Sequence, residues 1–169
     1  MASTLEATLK LSISASMRGA LDLSGSLASL REVYLQAFAD GAGANAAEEI
    51  FADERTVAAS GNEDIDLAGS LTNILGEAVV FTAIKAIIIK ADPGNTNAVQ
   101  VTRPASNGVP LFMAAGDGIS LAPGEVFSWF SGSAAGKVVT ADSGDLLNIA
   151  NSSSGTGVTY KIIVIGITS

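Results

Sequence analysis

Short stretches of alternating apolar and polar residues, separated by turn-forming residues, run through most of this sequence and limit it to an all-β fold. Leu9, Leu11 and Ile13 alternate with polar residues, so residues 5–14 predict a half-exposed strand, whereas helical spacing of apolar residues is scarce. From residue 78 onward, turn sequences such as Asp92-Pro93-Gly94-Asn95 separate predicted strands at 79–91, 98–103, 119–121, 125–130, 137–141, 146–151 and 158–167. Many short strands at this spacing predict an antiparallel β-sandwich or jelly roll.

The N-terminal third gives weaker signals. Residues 20–30 predict a short strand and turn, and residues 31–39 a strand, while the composition of residues 40–45 is typical of a loop. Residues 46–54 fit either a helical turn or an extended crossing arm, and residues 71–76 predict a 3₁₀ turn closed by glycine. We therefore expect N-terminal strands and a contact arm over residues 1–60 and a β-sandwich core over residues 61–169, within one continuous domain.

Two of the predicted strands, residues 81–91 and 160–167, are apolar on both faces, interrupted in the first by Lys85. A strand with one face in water alternates cleanly, so these two need a cover on the second face. The cover comes either from loops or the N-terminal arm of the same chain, or from a neighbouring subunit. A neighbouring subunit of an oligomer is the cover we expect. The candidate interface residues are Phe81, Ile87, Ile89, Phe127, Trp129, Phe130, Ile163, Ile165 and Ile167.

Composition excludes several classes of chemistry. The chain has no Cys and no His, so disulfides, Cys/His zinc sites and nucleophile–histidine pairs are ruled out. Its net charge is −8 and its nine cations are scattered, so we expect no direct binding to nucleic acid. The most apolar stretch, residues 78–89, is shorter than the roughly 20 residues that a membrane helix needs. Apolar residues nevertheless make up 48% of the chain and charged residues only 15%, which favours a subunit of an assembly.

Four local clusters are candidate sites. The carboxylates of Asn62-Glu63-Asp64-Ile65-Asp66 and of residues 48–54 resemble calcium ligands, but the EF-hand spacing is missing and a solvated strand edge is expected. Asp142-Ser143-Gly144-Asp145 predicts a hairpin turn rather than a pair of catalytic carboxylates. Val126-Phe127-Ser128-Trp129-Phe130 favours core or intersubunit packing over sugar binding. We therefore assign no catalytic, cofactor-binding or metal-binding residue, although a hydrolase using Asp142/Asp145 or Glu63/Asp64 stays open as an alternative.

The order of motifs in the C-terminal part of the chain carries a resemblance. A Pro123-Gly124-Glu125 turn is followed by Gly144-Asp145-Leu146-Leu147 and then by Tyr160-Lys161-Ile162 with Gly166. Over residues 47–167 this resembles a group of small β-sandwich virion proteins of tailed bacteriophages, which carry a Pro-Gly-Gly-hydrophobic turn and a Gly-Asp-Leu-Leu … Tyr-Asp-Ile … Gly ending. Here Glu125 replaces the second glycine and Lys161 replaces the aspartate; neither change harms a sandwich.

The resemblance implies a non-enzymatic structural component of the virion that needs no cofactor. The leading expectation is a head decoration (cement) protein on the capsid surface, which forms trimers and packs on the major capsid protein or other virion proteins. The alternative is a tail or collar fibre module that binds a host-surface glycan or another receptor through Phe127, Trp129 and the loops at 104–118 and 151–157.

Overall fold

Strands account for all the regular secondary structure in the computed structural model of the chain, which describes residues 4–20, 25–69 and 71–168. The all-β prediction is therefore confirmed for the described residues. The strands are β1 (Ala7–Ala20), β2 (Gly25–Asp40), β3 (Ala46–Ala47), β4 (Glu49–Val57), β5 (Asn62–Asp66), β6 (Leu71–Thr72), β7 (Ala78–Val79), β8 (Ala83–Ala91), β9 (Val99–Thr102), β10 (Gly118–Leu121), β11 (Val126–Phe130), β12 (Lys137–Val138), β13 (Leu146–Asn151) and β14 (Val158–Ile167).

Two antiparallel sheets pack together around the main core. One has the strand order β10-β9-β13-β5, and the other has the order β11-β8-β14-β4, with β12 also pairing with β8. The inward side chains include Val101 and Ile149 from the first sheet and Ile87, Ile89 and Ile162 from the second, all of them fully buried. This packing of alternate residues from facing sheets is the arrangement of a β-sandwich.

A short hairpin of β6 and β7 precedes the central strand β8. The amide of Gly76 donates to the carbonyl of Asn73, and Gly76 has a φ of 86°, a conformation that glycine adopts without strain. The 3₁₀ turn expected at 71–76 is therefore wrong, because residues 71–72 form a strand and the turn closes a hairpin. The predicted strand at 79–91 is likewise interrupted between Val79 and Ala83.

A β-bulge at Lys85 reverses part of the predicted face assignment of β8. Ile165 of β14 pairs with Ala86, but the next residue, Gly166, pairs with Ile84, so Lys85 is an extra residue on β8. The bulge turns Ile84 into the main core, whereas Ala86 packs in a second cluster on the outer face of the sheet. Strict alternation along the strand predicts Ile84 and Ala86 on one face, because it does not anticipate an inserted residue.

The N-terminal strands β1 and β2 form one long antiparallel hairpin, called the arm from here on. Its pairing runs from Ala7 opposite Phe38 to Ala20 opposite Gly25; residues 21–24, part of the predicted turn, lie outside the described residues. Residues 46–54 are extended rather than helical, and β4 pairs with β14 along residues 49–57. Of the residues 1–60 expected to hold N-terminal strands and a contact arm, β1 and β2 form the arm, and residues 49–57 form an edge strand of the sandwich.

The base of the arm lies on the outer face of the β11-β8-β14-β4 sheet. The second cluster has Phe38, Ala47, Ala86 and Ile165 at its centre, with Leu5, Ala7, Leu9, Ile50, Phe130 and Ile163 packed against it. The arm of the same chain therefore supplies a cover for this part of the doubly apolar strands. Of the two covers considered from the sequence, the described chain shows the internal one here.

Lys85 fastens the base of the arm to the sandwich. Its side chain is buried, and its Nζ donates hydrogen bonds to the carbonyl oxygens of Gly43 at 2.6 Å, Ala134 at 3.0 Å and Ser133. Gly43 follows β2, and the other two carbonyls lie in the loop after β11. Burial lowers the pKa of Lys85 because it disfavours the charged ammonium, and the three carbonyls compensate by accepting all of its donors.

Candidate interaction surface: the β1–β2 arm

Beyond its base, the arm is a two-stranded ribbon whose side chains are exposed. From Leu11 opposite Tyr34 to Arg18 opposite Leu27, every described side chain of the ribbon is exposed. An isolated two-stranded hairpin is at best marginally stable in water, since a third strand or a packing partner normally supplies the missing burial. A ribbon of this length is therefore expected to lie against a partner.

One face of the ribbon is apolar. In an antiparallel pair, residues directly opposite each other share a face, so the side chains of Leu11, Ile13, Met17, Leu30 and Tyr34 lie on the same side. Their exposed fractions are 49%, 41%, 73%, 51% and 53%. We call these five residues the apolar face. Glu32, opposite Ile13, is the one charged residue on this side of the ribbon between Leu11 and Met17.

The opposite face is basic. It carries Lys10, Arg18 and Arg31, which lie among the exposed side chains of Leu27, Val33 and Leu35. We call these six residues the basic face. The paired positions between Thr8 and Arg18 bring no carboxylate to this side of the ribbon. Three of the nine cations of the chain thus lie on one side of one hairpin.

A groove of about 310 Å³ lies where the arm leaves the sheet. Leu9 and Leu11 line it from the arm, and Ile88, Val126 and Phe130 line it from the sheet. The apolar face therefore continues into an apolar groove on the sandwich, so the two form one connected surface.

Of the nine predicted interface residues, five are buried in the structure and four are partly buried. Phe81, Ile87 and Ile89 are buried in the main core, so the interface role expected for them is corrected: a fully buried side chain has no surface to offer a partner. Ile165 and Ile167 are also buried, with exposed fractions of 4% and 6%. Packing between the two sheets buries Phe81, Ile87 and Ile89, whereas Ile165 lies in the second cluster beneath the base of the arm.

The remaining four candidates are partly buried. Phe127 and Trp129 pack against the main core, where the Phe127 ring lies 5.7 Å from that of Phe112 and the Nζ of Lys137 lies 5.5 Å above the Trp129 ring. Phe130 and Ile163 pack in the second cluster. These four residues keep some surface, but the larger exposed apolar surface is on the arm. The alternation of apolar and polar residues at 9–17 is the sequence signal for it.

The acidic residues weighed as sites have structural partners. Glu63 accepts hydrogen bonds of 3.0 Å from Arg55 and of 3.0 Å from the hydroxyl of Tyr160. Tyr160 is fully buried inside the sandwich. Burial and the neighbouring Glu63 carboxylate raise the pKa of Tyr160 above its ordinary value. Burial alone would lower the pKa of Arg55, but hydrogen bonds to Glu63 and Asp53 raise it.

At the other end of the sandwich, Asp145 closes a turn: its Oδ2 accepts a hydrogen bond of 2.7 Å from the backbone amide of Asp142. Its Oδ1 is buried without a hydrogen-bond partner in the described part of the chain. The sequence motif Asp142-Ser143-Gly144-Asp145 is therefore a tight turn, as predicted, with Asp142 at a positive φ of 63°. Within the described residues, no group of three or more His, Cys, Asp or Glu side chains is placed to hold a metal ion.

Comparison with known proteins identifies no relative of this chain. No protein-family model matches the chain, and neither a curated protein nor a solved structure does. In residues 4–20, 25–69 and 71–168 there is no helix of the length and apolar character that crosses a membrane. Function therefore has to be argued from the surfaces of this chain, above all from the arm.

Proposed function

We propose that this chain is a structural subunit of a bacteriophage virion, most specifically a head decoration protein that acts by packing on neighbouring subunits rather than by catalysis. The observation that carries the proposal is the arm, a long ribbon with an exposed apolar face that its own sandwich does not cover. The assignment to a virion is supported by the resemblance of residues 47–167 to small phage sandwich proteins.

The apolar face is suited to contact with another protein. Its five residues leave between 41% and 73% of their surface in water, which is unfavourable for a chain acting alone. Burying apolar surface contributes about 25 cal/mol per Å², whereas association costs roughly 4–15 kcal/mol, so several contacts per particle are needed. Repeated, symmetric contacts of this kind are what a trimeric decoration protein makes on a capsid lattice.

The proposal assigns the apolar face and its groove to the capsid protein. Phe127 and Trp129 are the residues suggested for glycan binding. The Phe127 ring lies against that of Phe112, and the Lys137 ammonium lies over the Trp129 ring. A sugar platform needs an open aromatic face, so the arm is the better supported contact. The fibre-module alternative is kept as an outcome of the test below.

The test uses virions or heads that lack this chain. Purified protein is added back, the particles are separated by density, and bound protein and resistance to heating are measured. The proposal predicts saturable binding and a higher temperature for genome release. It fails if the protein does not bind heads. If particles that lack the chain keep normal head stability but no longer adsorb to host cells, the result supports the fibre module instead.

A further inference from the structure

An acidic edge lies along one side of the sandwich. The strands β4 and β5 are the last strands of their respective sheets, and the ion pair between Arg55 and Glu63 joins them at 3.0 Å. They carry six carboxylates and, in Arg55, a single cation; the carboxylates belong to Glu49, Asp53, Glu54, Glu63, Asp64 and Asp66. We call these two strands the acidic edge. Asp53, Glu54 and Asp64 on it are exposed. Glu54 pairs with Lys161 of the adjacent strand β14 at 3.1 Å, so six carboxylates and two cations leave a net charge of −4 here.

The basic face has the opposite charge and a matching length. Lys10, Arg31 (opposite Ser14) and Arg18 follow one another at intervals of four residues along β1. With a rise of about 3.4 Å per residue, the three cations are roughly 14 Å apart and span about 27 Å. The strand β4, from Glu49 to Val57, covers the same number of residues. A strand-like ribbon and a strand edge of equal length can therefore lie side by side.

We propose that the basic face of one copy's arm docks along the acidic edge of a second copy of this chain. The overall charge distribution favours this contact over a direct contact between sandwiches. Of the seventeen carboxylates, thirteen follow residue 40, together with only six of the nine cations. Two sandwiches facing each other repel, whereas an arm carrying Lys10, Arg18 and Arg31 is attracted to the neighbouring sandwich.

The contact also buries apolar surface. Leu35 and Leu27 lie directly opposite Lys10 and Arg18, and Val33 lies between Lys10 and Arg31. The exposed fractions of Leu27, Val33 and Leu35 are 63%, 55% and 63%. Because the arm and the acidic edge are different surfaces, the contact is heterologous, and three copies related by a three-fold axis close it into a ring. This inference rests on the proposed function in one respect: a decoration subunit is expected to self-associate, and the inference names the surfaces that make that contact. The apolar face stays free for the capsid.

Charge reversal tests the contact by sedimentation velocity. We expect the wild-type chain to self-associate, and to do so less at 1 M salt, where the Debye length falls to about 3 Å. The arm variant R18E/R31E and the edge variant E54K/D64K should each weaken self-association at least tenfold, and combining the four substitutions should restore it. The matched control T96E/S106E/M113E/S120E makes the same charge change at exposed positions outside β1, β2, β4 and β5 and should self-associate as the wild type does.

The absence of cysteine allows a test of position as well. Ser14→Cys places a thiol on the arm beside Arg31, and Asn62→Cys places one at the start of β5. When the two single variants, one carrying a mass tag, are mixed with a bis-maleimide reagent, a tagged–untagged pair should form. Ser120→Cys, on the opposite edge strand β10, is the control and should not be captured by Ser14→Cys.

The outcomes separate this inference from the proposed function. A chain that is monomeric at high concentration, a charge reversal without effect, or equal capture of Asn62→Cys and Ser120→Cys overturns the inference, even if the chain binds heads. Reversal and rescue as described, in a chain that never joins a virion, support the inference and overturn the proposed function. Loss of head binding in R18E/R31E without any self-association assigns the basic face to another protein, and also overturns the inference.

Discussion

Replacing Ile13, Met17 and Leu30 by serine removes three side chains from the distal part of the apolar face. Their exposed fractions are 41%, 73% and 51%. About half of the combined surface of the three residues is therefore available to a partner, and the rest is covered within the arm. Complete burial of one such side chain is worth about 1.5–3 kcal/mol. Burial of the exposed half of all three therefore contributes roughly 2–5 kcal/mol, and its loss should raise the dissociation constant from heads about 30-fold to a few thousand-fold.

The same substitutions should hardly affect folding. Side chains that are exposed in the isolated chain usually change the free energy of unfolding by no more than about 0.5 kcal/mol each. The expected result is thus a variant that melts close to the wild type and no longer binds heads. Binding is measured by co-sedimentation with heads that lack the chain, and unfolding by urea denaturation followed by circular dichroism.

A matched control substitutes Ile74, Leu75 and Met113 by serine. These side chains are even more exposed, at 64%, 69% and 95%, but none lies on the arm. The control should bind heads with wild-type affinity. The reasoning is refuted if the arm variant binds as well as the wild type, or if the control loses affinity by the same factor, because general stickiness rather than the arm would then explain binding.

Further predictions concern the scaffold that holds the arm. Gly166→Ala should destabilise the fold by about 1–3 kcal/mol in urea, because the added Cβ would come within 2.4 Å of a backbone oxygen of β8, whereas Gly144→Ala, with 3.8 Å of space, should be near neutral. Lys85→Met should cost about 1–3 kcal/mol, because it removes the donor shared by three partly buried hydrogen bonds, and it should speed hydrogen exchange in the loops after β2 and β11. Tyr160→Phe should cost about 1.5–3 kcal/mol at pH 7, measured by the same urea assay, since the hydroxyl donates to a carboxylate. The raised pKa of Tyr160 means that the folded state keeps this proton longer than the unfolded state, so wild-type stability should fall as the pH rises above about 10. Tyr160→Phe should lose most of that slope and Tyr34→Phe, which alters an exposed ring, should keep it.

The sandwich could be predicted from local patterns. Strands β13 and β14 begin and end at the predicted residues, because glycine- and serine-rich turns bound them and apolar residues fill them. The core position of Phe81 could not be predicted as readily, since an apolar residue has the same pattern in a core as at an interface. Its burial depends on tertiary packing around the bulge.

The arm shows what periodicity does not reveal. The alternation of residues 9–13 predicted a strand with one wet face, but not that this strand pairs with residues 25–40 and extends beyond the sandwich. Lys85 gave a misleading signal, since a lysine in an apolar strand suggests a break in the pattern. Its role depends on carbonyls from two loops that are distant in sequence, which no local pattern predicts.

Imaging of intact particles tests the central claim most directly, because it locates the chain and shows what its arm contacts. The prediction is density for this chain on the head, with the apolar face of residues 11–17 and 30–34 lying against a neighbouring virion protein. A chain absent from the particle, or an arm projecting into solvent while the sandwich makes the contacts, would contradict the claim that this protein works by packing through its arm.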